Sequence, residues 1–347
     1  MSDTSRPLTD QVTEFLLRRA RWSPIEIAFW LVAASTIWLF PARHLILTEI
    51  CIWALFALSL DLILGYAGII SLGHAAFFGL GAYAAGLIGK YDIIGEPALA
   101  LVASGLAAAG LGFATSFLVL RGSDLTRLMV TFGISLLLRE LANKYSEITG
   151  GADGLQGVEI KPLLGAFRFD LYGHTGYAYS LVVLFVLFLL ARRVVQSPFG
   201  LSLQAIRGNP LRSSAVGIAT NWRLVAIYTL SAGYAGVAGA LLAQTQAFAS
   251  LEMFSVERSA DVLLILIIGG TGYLYGGIIG ALIFRFLQDY LSTLTARYWQ
   301  FWIGLILIAI VLVGRDRIAG WTTPLRKLAD ALGRWRPGRP SATGGKS

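Results

Sequence analysis

Leu181-Val-Val-Leu-Phe-Val-Leu-Phe-Leu-Leu190 is an unbroken run of Leu, Val and Phe. At roughly −0.3 to −0.6 kcal/mol per residue near the centre of a membrane helix, this run alone favours insertion by about 3–6 kcal/mol. Arg192-Arg193 closes it. A span needs about 20 mostly apolar residues, so 177–195 reads as a transmembrane helix. Working outward from it, further apolar segments fall at about 25–42, 45–64, 69–88, 98–120, 126–142, 224–243, 260–276, 277–291 and 299–314. The weakest are 126–142, which ends in Arg139 and Glu140, and the short pair covering 260–291. The expected fold class is therefore all-α, a polytopic transmembrane helix bundle of about ten spans, with eight or nine left open by those weak segments.

Composition agrees with a chain that lives in lipid. Of 347 residues, 56% are hydrophobic and only 14% charged, with a mean hydropathy of +0.69. Soluble domains carry about 25% charged residues. The 39 glycines lie largely inside apolar stretches. There they cost a soluble helix about 1 kcal/mol each, but in lipid they let helix backbones approach closely. Cys51 is the single cysteine and reads as a small packing residue. His44, His74 and His174 have no metal-site spacing, so no metal is expected. The N-terminus shows no small-x-small cleavage site behind its first apolar run, which reads as a span, not a signal peptide.

Charge sets the expected orientation. Arg192, Arg193, Arg207, Arg212 and Arg223 fall in one segment without an acid. The tail from Arg315 carries eight Lys or Arg against Asp316 and Asp330, and the N-terminal tail holds Arg6, Arg18, Arg19 and Arg21. By the positive-inside rule all three belong in the cytoplasm, and ten spans place them there with both termini inside. The segment 143–176, with Glu147, Asp153, Glu159 and Asp170, fits outside. The expected organisation is a cytoplasmic tail over 1–24, a membrane domain over 25–314 that includes a cytoplasmic loop at 196–223, and a basic cytoplasmic tail over 315–347. The net charge of +8 is then topological, and no nucleic-acid partner is implied.

No chemistry of an enzyme is legible. A phosphate-binding loop needs G-x-x-x-x-G-K-[ST] ahead of a helix. Gly345-Lys346-Ser347 imitates its end, but Pro340 stands where the first glycine belongs. Ser-x-x-Lys, HExxH and Gly-x-Ser-x-Gly arrangements are missing from the spans, and the clearest spans have nearly charge-free centres. Ion-coupled carriers more often bury charge mid-span. A membrane enzyme is thus poorly supported, and a self-sufficient channel or carrier is the alternative to a permease driven by a separate energy source.

Three segments stand out. Gly65 to Gly86, containing Gly65, Gly68, Ser71, Gly73, His74, Gly79 and Gly81, is too dense in small residues for an ordinary lipid-facing helix. It reads either as tight helix packing or as a broken segment beside a pathway, since irregular backbone at membrane depth must be buried or line a cavity. Asp61 offers itself as a neighbour of His74. Ala232/Gly236, Ala235/Gly239 and the later Gly272, Gly276 and Gly280 have small-xxx-small spacing suited to helix seams. In the arginine-rich loop, Ser197-Pro198 starts a helix, Gly208-Asn209-Pro210 stops it, and a second short helix can run from Leu211 to Val216 and end at Gly217. Phe199, Leu203 and Ile206 give the first helix an apolar face, suited to the membrane surface or to a partner's groove.

At these residues the sequence resembles LivM-type permeases of branched-chain amino-acid ABC importers. The resemblance is carried by Gly65–Gly86, Thr149-Gly150-Gly151-Ala152-Asp153-Gly154-Leu155, and the Ser197-Pro198-Phe199 to Arg207 to Gly217 segment. Ser231–Leu241, Ile268-Gly269-Gly270-Thr271-Gly272 and Tyr298–Gly304 continue it in order. It implies a type II ABC importer-like bundle in the bacterial inner membrane, without a cofactor of its own because ATP is bound by partner subunits. The implied partners are a LivH-type second permease, two cytosolic ATPases and a periplasmic substrate-binding protein, besides membrane lipid. It further implies that Pro198, Phe199, Ile206, Arg207, Asn209, Pro210 and Gly217 belong to the ATPase-coupling loop. Thr149, Gly150, Gly151, Asp153 and Gly154 would lie outside, near a docked binding protein, or form a simple glycine-rich turn. Gly269, Gly270 and Gly272 join Gly236 and Gly239 as pathway or packing candidates. The family's coupling loop often carries acids between the positions of Arg207 and Gly217, and this one has none, which implies an ATPase groove of different charge.

Overall fold

The computed structural model describes residues 23–163, 165–170, 172–294 and 298–313. The expected basic tail at 315–347, and all but the last two residues of the N-terminal tail, lie outside them. In chain order the α-helices are α1 (Pro24–Leu39), α2 (His44–Leu64), α3 (Ala75–Lys90), α4 (Pro97–Val119), α5 (Asp124–Lys144) and the single turn α6 (Ser146–Thr149). After them come α7 (His174–Val195), α8 (Pro198–Gly208), α9 (Pro210–Ala215), α10 (Thr220–Gln246), α11 (Val256–Gly269), α12 (Leu274–Leu294) and α13 (Trp299–Val313). Among the described residues there is no strand, only isolated bridges at Leu155–Ala249 and Leu163–Phe167.

The chain divides into two compact units after Phe286. In the first, α2 and α10 form the interior: α10 packs on α4, α3 and α2, and α2 also packs on α7. The sequence explains this placement. α2 is apolar from Ile50 to Ile63 apart from Ser59 and Asp61, and every residue there is buried. α10 is lined by Ala and Gly, so neighbouring backbones come close on several sides. α4 and α7 bury one face and expose Leu99, Val102, Leu106, Val182 and Val186 on the other, as helices against lipid do. The second unit contains α13, an apolar helix.

α1 buries no residue fully and is fastened to α7 near both ends. Ser23 and Glu26 form a capping box around Pro24, and the Glu26 carboxylate also accepts a bond from Arg192 at 2.7 Å. Near the other end the Thr36 and Tyr177 hydroxyls lie 2.6 Å apart. Between these ties an apolar groove of about 460 Å³, walled by Leu31, Ala34 and Phe185 among others, opens outward.

Every apolar segment expected from the sequence coincides with a helix. Among the described residues, four helices are each long and apolar enough to cross a membrane: α2 with its preceding turn, α4, α7 and α10. α11 and α12 qualify only together, as one pair bent by 109°. The expected separate spans at 260–276 and 277–291 are corrected accordingly. α11 stops at Gly269, and its 14 residues reach only about 21 Å, short of the roughly 30 Å hydrocarbon core. The expected span at 69–88 is likewise shorter as a helix, because α3 begins only at Ala75. α5, at the expected 126–142 span, misses the apolar criterion, with Asp124, Arg127, Arg139, Glu140 and Lys144 in its length.

Candidate functional site

Three breaks between α-helices and the α8–α9 loop hold many of the residues singled out by sequence. The first break runs from Gly65 to His74. Gly68 has a φ of +75°, a backbone that other residues adopt rarely, and it turns the chain away from α2. The segment is buried at Gly65, Tyr66, Ile69, Ser71, Gly73 and His74. Its polar groups find partners from distant helices. The Leu72 amide donates to Thr131 Oγ1 at 3.3 Å, and the Ala75 amide to Ser259 Oγ at 2.9 Å. His74 Nε2 lies 2.8 Å from Ser59 Oγ, which itself donates to the Phe56 carbonyl at 2.6 Å. His74 also stacks on Phe56, with ring centroids 5.6 Å apart. The partner found for His74 is thus Ser59, while Asp61 Oδ1 accepts from the Gly272 amide at 2.7 Å.

Close packing accounts for the remaining glycines of this stretch. A Cβ on Gly81 would land on the Gly236 backbone, one on Gly239 on the Phe78 carbonyl, and one on Gly79 on the Phe254 ring. The α3–α10 seam is therefore a backbone-to-backbone contact. Gly73 is pressed in the same way against the Thr131 carbonyl of α5. Both features read from the sequence, an irregular segment and small-residue packing, occur together here.

The second break, 270–273, separates α11 from α12. Gly270 has a φ of +104° and Gly272 of +79°. Gly269 and Gly280 sit where a Cβ would collide with the Gly276 and Ile265 carbonyls, so the two bent helices are in contact just beyond the turn.

The α8–α9 loop is built as its sequence suggests, with one reversal. Pro198 opens α8, Asn209 separates the helices, and the Asn209 side chain caps α9 by accepting from the Arg212 amide at 2.9 Å. Gly217 closes the loop with a φ of +91°. Ser197 stands at the cap position of α8, but its hydroxyl donates to the Val194 carbonyl instead. The reversal concerns the apolar face. Leu203 and Ile206 are buried within this chain, and Phe199 is half-buried beneath the Arg223 guanidinium, 5.8 Å from its ring centre. Arg223 also donates to Ser202 Oγ at 2.6 Å. The face open to a partner belongs to α9, where Leu211 is 83% and Val216 77% exposed. The contact missed in the sequence was that of Arg223, which roofs Phe199.

Arg207, on the last turn of α8, is exposed and donates from its guanidinium to the Gly65 carbonyl. Beside it a cleft of about 540 Å³ is bordered by Tyr66, Gln204, Thr271 and Tyr273. A second hollow of about 550 Å³ lies along α9, bordered by Asn209, Arg212, Val216 and Ile218.

The third break is the Thr149–Leu155 turn. Thr149 Oγ1 donates to the Tyr145 carbonyl at 2.9 Å, and Gly150, Gly151 and Gly154 all have positive φ. Leu155 is buried and its amide donates to the Ala249 carbonyl at 2.7 Å, fixing the turn beside the end of α10. Asp153 is exposed at its tip. Far apart in sequence, His44 and His174 also meet edge to face, with centroids 5.1 Å apart. No group of three potential metal ligands occurs among the described residues.

Residues 43–311 match the family described as branched-chain amino acid transport system / permease component. The chain belongs to that permease family. It is a multi-pass membrane protein of transport function, with relatives that include the high-affinity branched-chain amino acid transport system permease protein LivM of Escherichia coli. That relative is 27% identical over 82% of this chain and 71% of its own length. The LivM protein of Salmonella typhimurium is 26% identical over the same shares. A probable branched-chain amino acid transport permease protein LivH of Methanocaldococcus jannaschii is 29% identical over 48% of this chain and 52% of its own. No solved structure matches. The family match includes all three breaks and the α8–α9 loop.

Proposed function

We propose that this permease is the membrane subunit of an ABC importer in the bacterial inner membrane, moving branched-chain amino acids or related small polar solutes with ATP hydrolysed by partner subunits. Its partners on this reading are a LivH-type second permease, two cytosolic ATPases and a periplasmic binding protein, and both termini face the cytoplasm. The observation that carries the reading is the α8–α9 loop within a family-wide match: two short helices, within the segment 192–223 that holds five arginines, that leave Leu211 and Val216 uncovered. An apolar pair on a short exposed helix is suited to a partner's groove. The 196–223 segment is the coupling loop, and the Thr149–Leu155 turn faces the binding protein.

Purification in mild detergent tests this directly. Two ATPases and a second permease of similar size are expected to copurify, and liposomes holding the complex are expected to take up leucine only with ATP and the binding protein. Solute flux through this chain alone, without ATPases, would replace the reading with a self-sufficient channel or carrier.

A further inference from the structure

We infer that Arg207 and Asp61 are positioning residues that tie the α8–α9 loop to the α11–α12 break, so that motion of the loop is handed to the bent pair. The inference rests on the proposed importer role and assigns the mechanical connection within it.

The tie is made of backbone and charge. The Arg207 guanidinium bonds the Gly65 carbonyl, the first residue past α2, and its stem lies against Gly68, where a Cβ would come within 3.0 Å of Arg207 Cγ. Gly65 in turn abuts Gly272, and a Cβ on Gly272 would lie 3.4 Å from Arg207 Nη1. The same Gly272 amide is held from the other side by the fully buried Asp61 carboxylate, at 2.7 Å. One side chain of the loop therefore reaches both the end of α2 and the turn between α11 and α12, and Asp61 clamps that turn to α2.

The surroundings are those of a joint. Gly270 and Gly272 hold positive φ, so the turn uses backbone states in which glycine changes conformation at low cost. The cleft bordered by Gln204, Thr271 and Tyr273 leaves space between loop and turn. Arginine suits the task because its planar fork keeps its charge and bonds carbonyls in fixed directions. The simpler role, an arginine that only satisfies a carbonyl at a helix end, is also well precedented physically. The test must separate fastening from transmission.

Cysteines at Gln204 and Tyr273, on either side of the cleft, report the loop-to-turn distance in the complete complex with its ATPases. Their cross-linking yield is expected to change by about fivefold or more between ATP-free and vanadate-trapped states. With Arg207→Gln the ATPases should still copurify, but the yield should no longer respond to ATP. Arg207→Lys should restore part of the response. Asp61→Asn, which keeps an acceptor for the Gly272 amide, provides a second variant and should weaken the response without abolishing it. An unchanged ATP response in Arg207→Gln would overturn the inference. So would loss of ATPase copurification in that variant, which would make Arg207 a docking contact, or a cysteine pair in the otherwise native complex that never responds to ATP. If the native complex brings down no ATPases, the importer reading itself fails, an outcome visible before any variant is made.

Discussion

Ile206 and Leu211 stand close together in one loop and face opposite ways, the first 3% and the second 83% exposed. Their replacement by Ala should therefore separate two kinds of damage. Ile206→Ala leaves a hole in the chain's own packing, and such changes typically cost about 2–5 kcal/mol. It should lower the thermal midpoint of the detergent-purified protein. Leu211→Ala should leave that midpoint unchanged and weaken ATPase copurification by about tenfold, the loss expected of an interface anchor worth more than 1 kcal/mol. Copurification that survives Leu211→Ala together with Val216→Ala would remove α9 from the interface. Gly217→Val should act through the backbone alone. Nothing crowds a side chain there, but the φ of +91° disfavours a β-branched residue by about 1–3 kcal/mol. A melting midpoint for Gly217→Val indistinguishable from the parent, with full ATPase copurification, would show that the turn accepts other geometries. At this scale the sequence was legible in residue type but not in direction. Ser197-Pro198 and Gly208-Asn209-Pro210 marked where α8 began and ended because those residues act on their own backbone. Local spacing marked Leu203 and Ile206 as the apolar face of α8 but not what covers it, because the residues that do so lie elsewhere in the chain.

Among elements, the α3–α10 seam is the most sensitive contact. Gly81 meets the Gly236 backbone and Gly239 the Phe78 carbonyl, so a side chain on either helix must push whole backbones apart. Gly81→Leu or Gly239→Leu should give protein that inserts but elutes as aggregate in size-exclusion chromatography, whereas Gly110→Leu, where nothing lies within 4 Å, should elute as the parent does. A monodisperse Gly239→Leu protein would mean that the α3–α10 seam tolerates a side chain between the two backbones. The small-xxx-small spacing of Ala235 and Gly239 announced a seam, since glycine within apolar sequence has few other uses in lipid. It could not name the partner helix. Hydropathy likewise found the apolar residues of 260–291 but divided them at the wrong place. It averages over windows, whereas the break is written in the four residues 270–273 and the positive φ angles of Gly270 and Gly272.

For the whole molecule, orientation is the proposal most open to a direct test. A cysteine at Val216, well exposed on the α8–α9 loop, should resist a membrane-impermeant maleimide in intact spheroplasts and react after lysis. One at Tyr172, 82% exposed in the segment expected outside, should react before lysis. The reverse pattern would invert the topology and place the arginine-rich loop away from any cytosolic ATPase. Ser202, in the same loop, would be a poor reporter because it is buried beneath Arg223. The bundle as a class was readable because lipid makes one demand of every span, that its backbone bonds close within the chain. The broken helices were harder to read because tertiary partners such as Thr131, Ser259 and Asp61 satisfy that demand for them.

The bend between α11 and α12 has an electrostatic consequence. An α-helix carries roughly half a positive charge at its first turn and half a negative charge at its last. A straight helix would hold those ends far apart, at the two membrane surfaces. Here the negative end of α11 and the positive end of α12 face one another across the four residues 270–273. Asp61 Oδ1 accepts from the Gly272 amide just ahead of α12, placing a hydrogen-bond acceptor beside that positive pole. Straightening the pair would leave those two poles joined through the same four residues but would draw the Gly272 amide away from the buried Asp61 side chain, so the bent state holds a polar contact that any conformational change at this turn must break.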